Sequence, residues 1–221
     1  MPEIEIGLAL VFETPPSVGA AGASDTLADK AVTRNGRDEF IIPASQVKGK
    51  LRHSCQQLLS ANGVEVCRPP RPQDMCPRAG VNGPCLLCQI FGSPFDRSRL
   101  RFHDLVATQA YLPGDTSRAM VSLNRSRRTA EAKRLFLVET APNVKGLRFE
   151  NEHAVTGHVG DERHAHLLLA GLKLLFSWGG GAGRGLGWGE VAGLQGGEVY
   201  ALVDGRETTI NVEEVKALCA S

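Results

Sequence analysis

The chain has 221 residues, 42% of them hydrophobic, and its formal net charge at pH 7 is +1. This composition predicts a globular domain with a real core and excludes nucleic-acid binding driven by overall charge. No apolar run approaches the length of a membrane span and no basic n-region opens the chain, so we expect a cytoplasmic protein, with no membrane partner, whose six cysteines stay reduced.

The N-terminal part of the chain predicts a strand followed by a long loop. Apolar side chains alternate from Ile4 to Phe12, which is the pattern of a strand with one buried face. Residues 14–37 are small, polar and glycine-bearing, and loops of that length inside compact domains are usually functional or disordered. The loop carries Asp25 and Asp29, which composition alone interprets as solvated carboxylates.

A helix with a basic start is predicted next. Ser45 is its predicted N-cap and Gly63 ends it. Lys48, Lys50 and Arg52 fall in its first turns, where cations oppose the helix macrodipole unless an anion lies nearby. We therefore predict a bound phosphate at this helix start, with a solvated basic face as the alternative.

A cluster of cysteines follows in a segment rich in proline and glycine. The spacing is C-x8-C-x8-C-x2-C, and the four residues are Cys67, Cys76, Cys85 and Cys88. Four thiolates in a segment too polar to form its own core predict a structural tetrahedral zinc site. The two remaining cysteines, Cys55 and Cys219, are predicted to be packing residues.

A basic stretch in the middle of the chain predicts a protruding element. Residues 118–134 hold six Lys/Arg against one acid, with apolar side chains at the near end. A hairpin that carries both apolar wedges and arginines suits entry into a nucleic-acid groove or duplex. After it, residues 135–139 and 147–150 are predicted to pair as two strands around a proline turn.

Other segments predict ordinary scaffold elements. Residues 99–111 predict a strand, residues 161–176 a helix with a leucine stripe, and Asn211 with Glu214 the capping box of a last helix. Four titratable residues in these segments are predicted to be structural or solvated rather than catalytic: His103, Asp104, His164 and His166.

The strongest compositional bias lies in residues 177–191, which hold seven of the 25 glycines. Glycine at that density loses backbone entropy but permits positive φ and close approach of bare N–H groups to another surface. Arg184 lies in the middle, so a phosphate backbone is the predicted ligand and a flexible surface turn is the alternative. A dinucleotide fingerprint is excluded because no register gives G-x-G-x-x-G.

Four features occur in a diagnostic order: the acid-bearing loop, IIPASQVKGKLR (residues 41–52), C-x2-C running into QIFG (residues 85–92), and LKLLFSWGGGAGRGLGWGEV (residues 172–191). Together they resemble the RAMP superfamily of CRISPR proteins, and within it the repeating backbone subunit of type III effector complexes. The likeness extends over nearly the whole chain. The four-cysteine insertion is typical of the type III-D and III-E branches, and Ala44 stands where a glycine is common.

The resemblance implies an α+β architecture, a modified ferredoxin-like (RRM-like) RAMP fold. It implies one domain over residues 1–221, with a zinc-binding insertion at 64–92 and a thumb β-hairpin at 113–134. The implied partners are a CRISPR guide RNA, a target RNA and other effector-complex subunits, including further copies of this chain. The implied activity is endonucleolytic cleavage of the target RNA, with Mg²⁺ or Mn²⁺ as cofactor beside structural Zn²⁺.

The resemblance also implies roles for individual residues. Asp29 precedes Pro43 by the distance seen for the family's catalytic aspartate, and Asp25 matches a second, less critical acid. The residues expected to bind RNA are Lys48, Lys50, Arg52, Arg125, Arg127, Arg128, Gly181, Gly183, Arg184 and Gly185. Two alternatives stay open: a catalytically inactive guide-RNA-binding subunit, and a guide-processing endonuclease of the same superfamily that uses a histidine near the glycine loop.

Overall fold

The computed structural model describes residues 1–20, 28–68, 71, 74–76, 83–108, 116–175, 187–194 and 196–220. This part of the chain contains ten strands and four helices. The strands are β1 (Glu3–Phe12), β2 (Ile41–Ile42), β3 (Leu100–Phe102), β4 (Leu105–Ala107), β5 (Thr116–Asn124), β6 (Thr129–Thr140), β7 (Leu147–His158), β8 (Gly189–Ala192), β9 (Ala201–Val203) and β10 (Arg206–Thr208). The helices are α1 (Ala44–Ala61), α2 (Leu86–Phe91), α3 (Arg163–Lys173) and α4 (Val212–Ala220).

Eight of the strands form one antiparallel sheet. Its order is β10-β9-β1-β7-β4-β2, with β8 also paired to β1 and β3 also paired to β7. The two longest partners, β1 and β7, form its centre, and β5 and β6 form a separate two-stranded sheet. The predicted combination of helices and strands in an α+β architecture is confirmed, and the main sheet is antiparallel.

The main core lies between β1 and the helices α1 and α3. The alternating side chains predicted for β1 are buried, from Ile4 to Phe12, and they share one cluster with Leu51 of α1 and Leu168 of α3. Each such burial stabilises the fold by roughly 1.5–3 kcal/mol. Helix α1 approaches α3 closely at Gly171, where an added Cβ would lie 2.6 Å from the Cys55 sulfur. Cys55 is therefore a packing residue, as predicted.

The predicted N-cap of α1 is wrong. The helix begins at Ala44, Pro43 occupies the cap position, and no side chain caps it locally. Instead Asp104, from the turn between β3 and β4, accepts a hydrogen bond of 2.7 Å from the Ala44 N–H. A carboxylate at a helix N-terminus is favoured by the macrodipole, so Asp104 supplies an anion that offsets the basic start of α1. Its predicted structural role agrees with this contact.

The predicted pairing of residues 135–139 with residues 147–150 is also wrong. The first segment belongs to β6, which pairs with β5 in a long hairpin, whereas the second belongs to β7 and pairs with β1. The described part of the hairpin runs from Thr116 to Thr140. The error arose because the basic and apolar halves of β6 look like separate elements when only local composition is used.

Helix α3 contains one further difference from expectation. His164, predicted to be solvated, is 4% exposed, and its Nδ1 has no hydrogen-bond partner among the described residues. At the last helix, the Asn211 side chain accepts a hydrogen bond from the Glu213 N–H at 3.0 Å, so Asn211 caps α4 through Glu213 rather than through the predicted partner Glu214. None of the helices described is long and apolar enough to span a membrane.

Candidate nucleic-acid interface and metal cluster

The four cysteines of the predicted metal site lie together, in the segment that runs from the end of α1 to the first turn of α2. Their sulfur atoms are all within 4.8 Å of one another, and the four residues are Cys67, Cys76, Cys85 and Cys88. Three are fully buried and Cys85 is half-buried. Tetrahedral zinc with four thiolates needs sulfur separations of about 3.8 Å, so small shifts suffice to complete the site. The donor set and its compactness fit a structural Zn²⁺ ion.

The thiols of this cluster have unequal proton affinities. Burial raises the pKa of Cys76 and of Cys88, and a hydrogen bond with Cys67 adds to the effect at Cys88. Burial works in the same direction at Cys85, but hydrogen bonds to the neighbouring cysteines outweigh it and lower the pKa of Cys85 to about 7. Among Cys76, Cys85 and Cys88, Cys85 is therefore the thiol closest to ionisation at neutral pH, and thiolate is the form that binds metal.

Arg52, predicted to bind RNA, is directed towards this cluster. Its Nη2 donates to the sulfur atoms of Cys67 and Cys88, at 3.5 Å each, and its Nη1 donates to the Gly92 carbonyl at 2.8 Å. Arg52 therefore does not present its guanidinium alongside the lysines at the start of α1. The RNA contact predicted for it stays a prediction that this geometry does not favour.

The lysines at the start of α1 are partly covered. The Lys48 ammonium lies 5.8 Å from the ring centroid of Phe102, which stacks on Phe91 at 6.2 Å. Burial, with a smaller contribution from the positive charge of Arg52, lowers the pKa of Lys48. Lys50 is partly exposed on the same helix. A partly desolvated ammonium interacts more strongly with an anion than a solvated one does, which suits a phosphate contact.

Asp29 lies against the base of the β5–β6 hairpin. Its Oδ2 accepts a hydrogen bond of 2.8 Å from the Leu137 N–H, and its own N–H donates to the Leu137 carbonyl at 3.0 Å. Its Oδ1 makes no hydrogen bond with the described part of the chain, and the residue is exposed. One oxygen is thus held by the hairpin while the other faces solvent.

A buried carboxylate anchors the rest of this loop. Glu139 is 8% exposed, and its Oε2 accepts a hydrogen bond of 2.8 Å from the Val32 N–H. Its Oε1 lies 4.0 Å from Nη2 of Arg34, and its main chain bonds Lys30 and Ser17. These bonds attach the loop that contains Asp29 to the base of strand β6.

The hairpin presents an apolar face and a basic tip. Val121 and Leu135 pair across the two strands and are exposed, as are Leu123 and Leu137. At the tip, the Asn124 Oδ1 accepts the N–H groups of Ser126 and Arg127 at 3.0 Å each, which fixes the turn. The turn exposes three arginines, Arg125, Arg127 and Arg128.

The end of the glycine-rich segment joins the same region. The Gly187 N–H donates to the Pro15 carbonyl at 3.1 Å, and the Trp188 N–H donates to the Thr14 Oγ1 at 2.8 Å. The next residue along, Pro16, accepts from the N–H of Ala141 at the hairpin base. The remaining predicted site residues lie outside the described residues: Asp25, Gly181, Gly183, Arg184 and Gly185.

The geometry thus comprises two groups: a metal cluster joined to the basic helix, and a loop carboxylate joined to a protruding hairpin. The family model of the RAMP superfamily matches residues 9–191, which include both groups. The chain belongs to the RAMP superfamily. A comparison with curated proteins gave no match. Membership indicates a CRISPR-associated, RNA-binding subunit.

Sequence reasoning missed several residues that organise this RAMP chain. No role is predicted for Glu139 within its apolar strand, although a lone acid in such a run must find partners when it is buried. Trp188, 60% exposed at the end of the glycine-rich segment, was not singled out. No sequence pattern indicates the role of Leu137, because this residue bonds the Asp29 carboxylate through its main-chain N–H group.

Proposed function

We propose that this chain is the backbone subunit of a type III CRISPR effector complex that binds guide RNA and cleaves complementary target RNA. The observation that carries the proposal is the contact of Asp29 with the hairpin base, within a chain of the RAMP superfamily. It links the candidate catalytic carboxylate to the element expected to enter the duplex. The sheet order β8-β1-β7-β4, with helices after β1 and β7, supports the modified ferredoxin-like assignment.

The guide RNA is held through its phosphates, so binding needs no sequence preference. Lys48 and Lys50 contribute from α1, and the glycine-rich segment with Arg184 contributes N–H groups and a guanidinium. The hairpin acts as the thumb. Its exposed leucines press against bases while its tip arginines contact the neighbouring phosphates.

Target cleavage uses Asp29 as the positioning carboxylate. The Leu137 N–H holds Oδ2, which leaves Oδ1 to orient a divalent cation or the scissile phosphate. Mg²⁺ or Mn²⁺ supplies charge neutralisation at the phosphate when bound. The 2′-hydroxyl loses its proton to solvent as its oxygen attacks phosphorus in line. The bond to the 5′-oxygen breaks and that oxygen takes a proton from solvent, which leaves a 2′,3′-cyclic phosphate and a 5′-hydroxyl. With one carboxylate and no adjacent histidine among the described residues, alignment is the main catalytic contribution.

Two alternatives make different predictions. A structural subunit without activity keeps the RNA contacts and uses Asp29 only as a loop residue that bonds Leu137. A guide-processing endonuclease needs an accessible histidine near the glycine-rich segment. Of the three candidates, His158 is exposed at the end of β7, His164 is buried and His166 bonds the Thr209 carbonyl at 3.1 Å. The four-cysteine cluster and the loop carboxylate favour the first proposal and the structural alternative over guide processing.

The four-cysteine cluster is proposed to hold Zn²⁺ as a structural ion. Bound there, the ion cross-links the segment between α1 and α2, which has too few apolar side chains to fold on its own.

The test is single-turnover cleavage of a complementary target RNA by the assembled complex. Regularly spaced cuts in Mg²⁺ or Mn²⁺ that disappear with chelator support the proposal. Tight target binding without cleavage in either metal supports the structural alternative, whereas cleavage of the free guide precursor supports guide processing.

A further inference from the structure

One arginine of the basic helix makes all of its described hydrogen bonds away from the expected RNA surface. Arg52 donates from Nη2 to Cys67 Sγ and Cys88 Sγ, both at 3.5 Å, and from Nη1 to the Gly92 carbonyl at 2.8 Å. Its Nε is buried without a partner among the described residues. A guanidinium in that position is partly desolvated, and desolvating a cation is unfavourable unless negative charge lies close to it.

The cysteine cluster supplies such charge once a metal is bound. Four thiolates around a divalent cation carry a net charge of −2, and the site is largely buried. The Arg52 guanidinium offsets one of these charges, and its two N–H···S bonds go to cysteines from opposite ends of the cluster, 21 residues apart. Hydrogen bonds to ligating atoms orient the ligands and adjust the affinity of the site.

The third acceptor, Gly92, ties Arg52 to the end of α2. Gly92 has φ +80°, and an added Cβ would lie 2.5 Å from the Ser98 N, so this turn requires glycine. The turn directs the Gly92 carbonyl at Arg52 and follows the helix that contains Cys88. Arg52 therefore bonds both the C-x2-C half of the cluster and the helix that presents it.

We propose that Arg52 is a positioning residue of the metal cluster: it holds the cysteine segment on helix α1 and raises its affinity for the metal, and it is not an RNA contact. The proposal concerns metal binding by the chain alone and stands whether or not the chain cleaves RNA.

The test compares variants of the purified full chain in a competition between the protein and a chromophoric chelator for Zn²⁺. Arg52→Met removes the donors and keeps most of the volume, and we expect the zinc affinity to fall about 10- to 100-fold. Arg52→Lys keeps the charge but replaces the planar guanidinium with a compact ammonium that cannot bond both sulfurs and the Gly92 carbonyl in the same geometry, so its affinity should lie between those of Arg52→Met and the wild type. Arg206→Met, on the edge strand β10, is the matched control for loss of one arginine and should leave the affinity unchanged.

A second readout separates a role at the metal from general loss of stability. With Co²⁺ in place of Zn²⁺, the sulfur-to-cobalt charge-transfer bands report on hydrogen bonding to the ligating sulfurs. These bands should shift in Arg52→Met and stay unchanged in Arg206→Met. If the zinc affinity and cobalt spectrum of both Arg52 variants equal those of the wild type, the proposal is overturned. It is likewise overturned if Arg52→Met weakens RNA binding by the metal-loaded chain while its zinc affinity is unchanged.

Discussion

The carboxylate of Asp29 accepts a hydrogen bond of 2.8 Å from the main-chain N–H of Leu137, and the Leu137 carbonyl accepts the Asp29 N–H in return. This two-way contact makes the loop carboxylate part of the hairpin base. A displacement of the hairpin by bound nucleic acid would therefore move the carboxylate with it. The contact also means that the carboxylate has two separable roles, as an acceptor for the hairpin and as a charge.

Substitution of Asp29 can separate these roles. Asp29→Asn keeps an oxygen that can accept the Leu137 N–H but removes the charge, whereas Asp29→Ala removes both. We expect target cleavage by the assembled complex to fall by a factor of about 10² or more in both variants, because each removes a preorganised electrostatic interaction. Guide and target binding should stay close to wild type. Single-turnover cleavage and equilibrium binding measure the two quantities.

The controls for this prediction are two other acids. Asp25→Ala should have a smaller effect than Asp29→Ala, and Glu207→Gln, an exposed acid on β10, should have none. Cleavage at the wild-type rate by the Asp29→Ala complex would assign the chemistry to another residue.

The sequence predicts best those elements whose apolar side chains recur at the regular spacing of a strand or a helix. The alternation from Ile4 to Phe12 and the leucine stripe of α3 are visible in the sequence because one face of each element is buried. The contacts that were mispredicted join residues far apart. Asp104 caps α1 from 60 positions away, and Arg52 reaches a sulfur 36 positions away, so no local pattern reports either contact.

The buried carboxylate of Glu139 should stabilise the loop, because it accepts the hydrogen bond from the Val32 N–H. Glu139→Gln keeps an oxygen for the Val32 N–H, whereas Glu139→Ala leaves that buried N–H group without a partner. We expect Glu139→Ala to lower the free energy of unfolding by about 1–3 kcal/mol and Glu139→Gln to lower it less. Denaturant unfolding measures the difference, and hydrogen exchange at Val32 should be faster in Glu139→Ala. Equal unfolding free energies for both variants and the wild type would show that the bond does not stabilise the loop.

The arginines at the hairpin tip should act through charge alone. Arg128 has φ +54°, so Arg128→Asn removes the charge with a residue that tolerates this backbone conformation. Combined with Arg125→Ser, it should weaken RNA binding to a similar extent for unrelated sequences. The slope of log affinity against log salt should decrease by about one for each phosphate that the variant no longer binds. Weakening confined to one RNA sequence, or an unchanged slope, would contradict a phosphate-binding role.

The cysteine cluster should contain about one equivalent of zinc per chain, as measured by elemental analysis of the purified protein. Cys76→Ser removes one of the four ligands and should lower both the zinc content and the melting temperature, because metal binding contributes to folding. Cys219→Ser is the matched control, since this cysteine lies on α4 outside the cluster. Metal-free wild-type protein with four freely reacting thiols in the cluster would contradict the assignment.

The buried His164 should make the stability of the fold depend on pH. Burial lowers the pKa of His164; the nearby Asp161 carboxylate partly opposes this shift, and the Arg163 guanidinium adds to it. The unfolded chain therefore binds a proton at this residue more readily than the folded chain does. The contribution of the neutral imidazole is fully present above the unfolded pKa of about 6.5 and is lost as the pH falls below it, at no more than about 1.4 kcal/mol per pH unit.

The measurement is the free energy of unfolding between pH 7.5 and 5.5 for three proteins. The wild type should lose stability over this range, and His164→Gln, which cannot titrate, should lose less, so that the advantage of the wild type over this variant shrinks as the pH falls. His53→Gln, at an exposed position on α1, should follow the wild type at every pH. Parallel curves for the wild type and His164→Gln would show that the pKa of His164 is the same in the folded and unfolded chains. The pH dependence of the wild type would then come from another group.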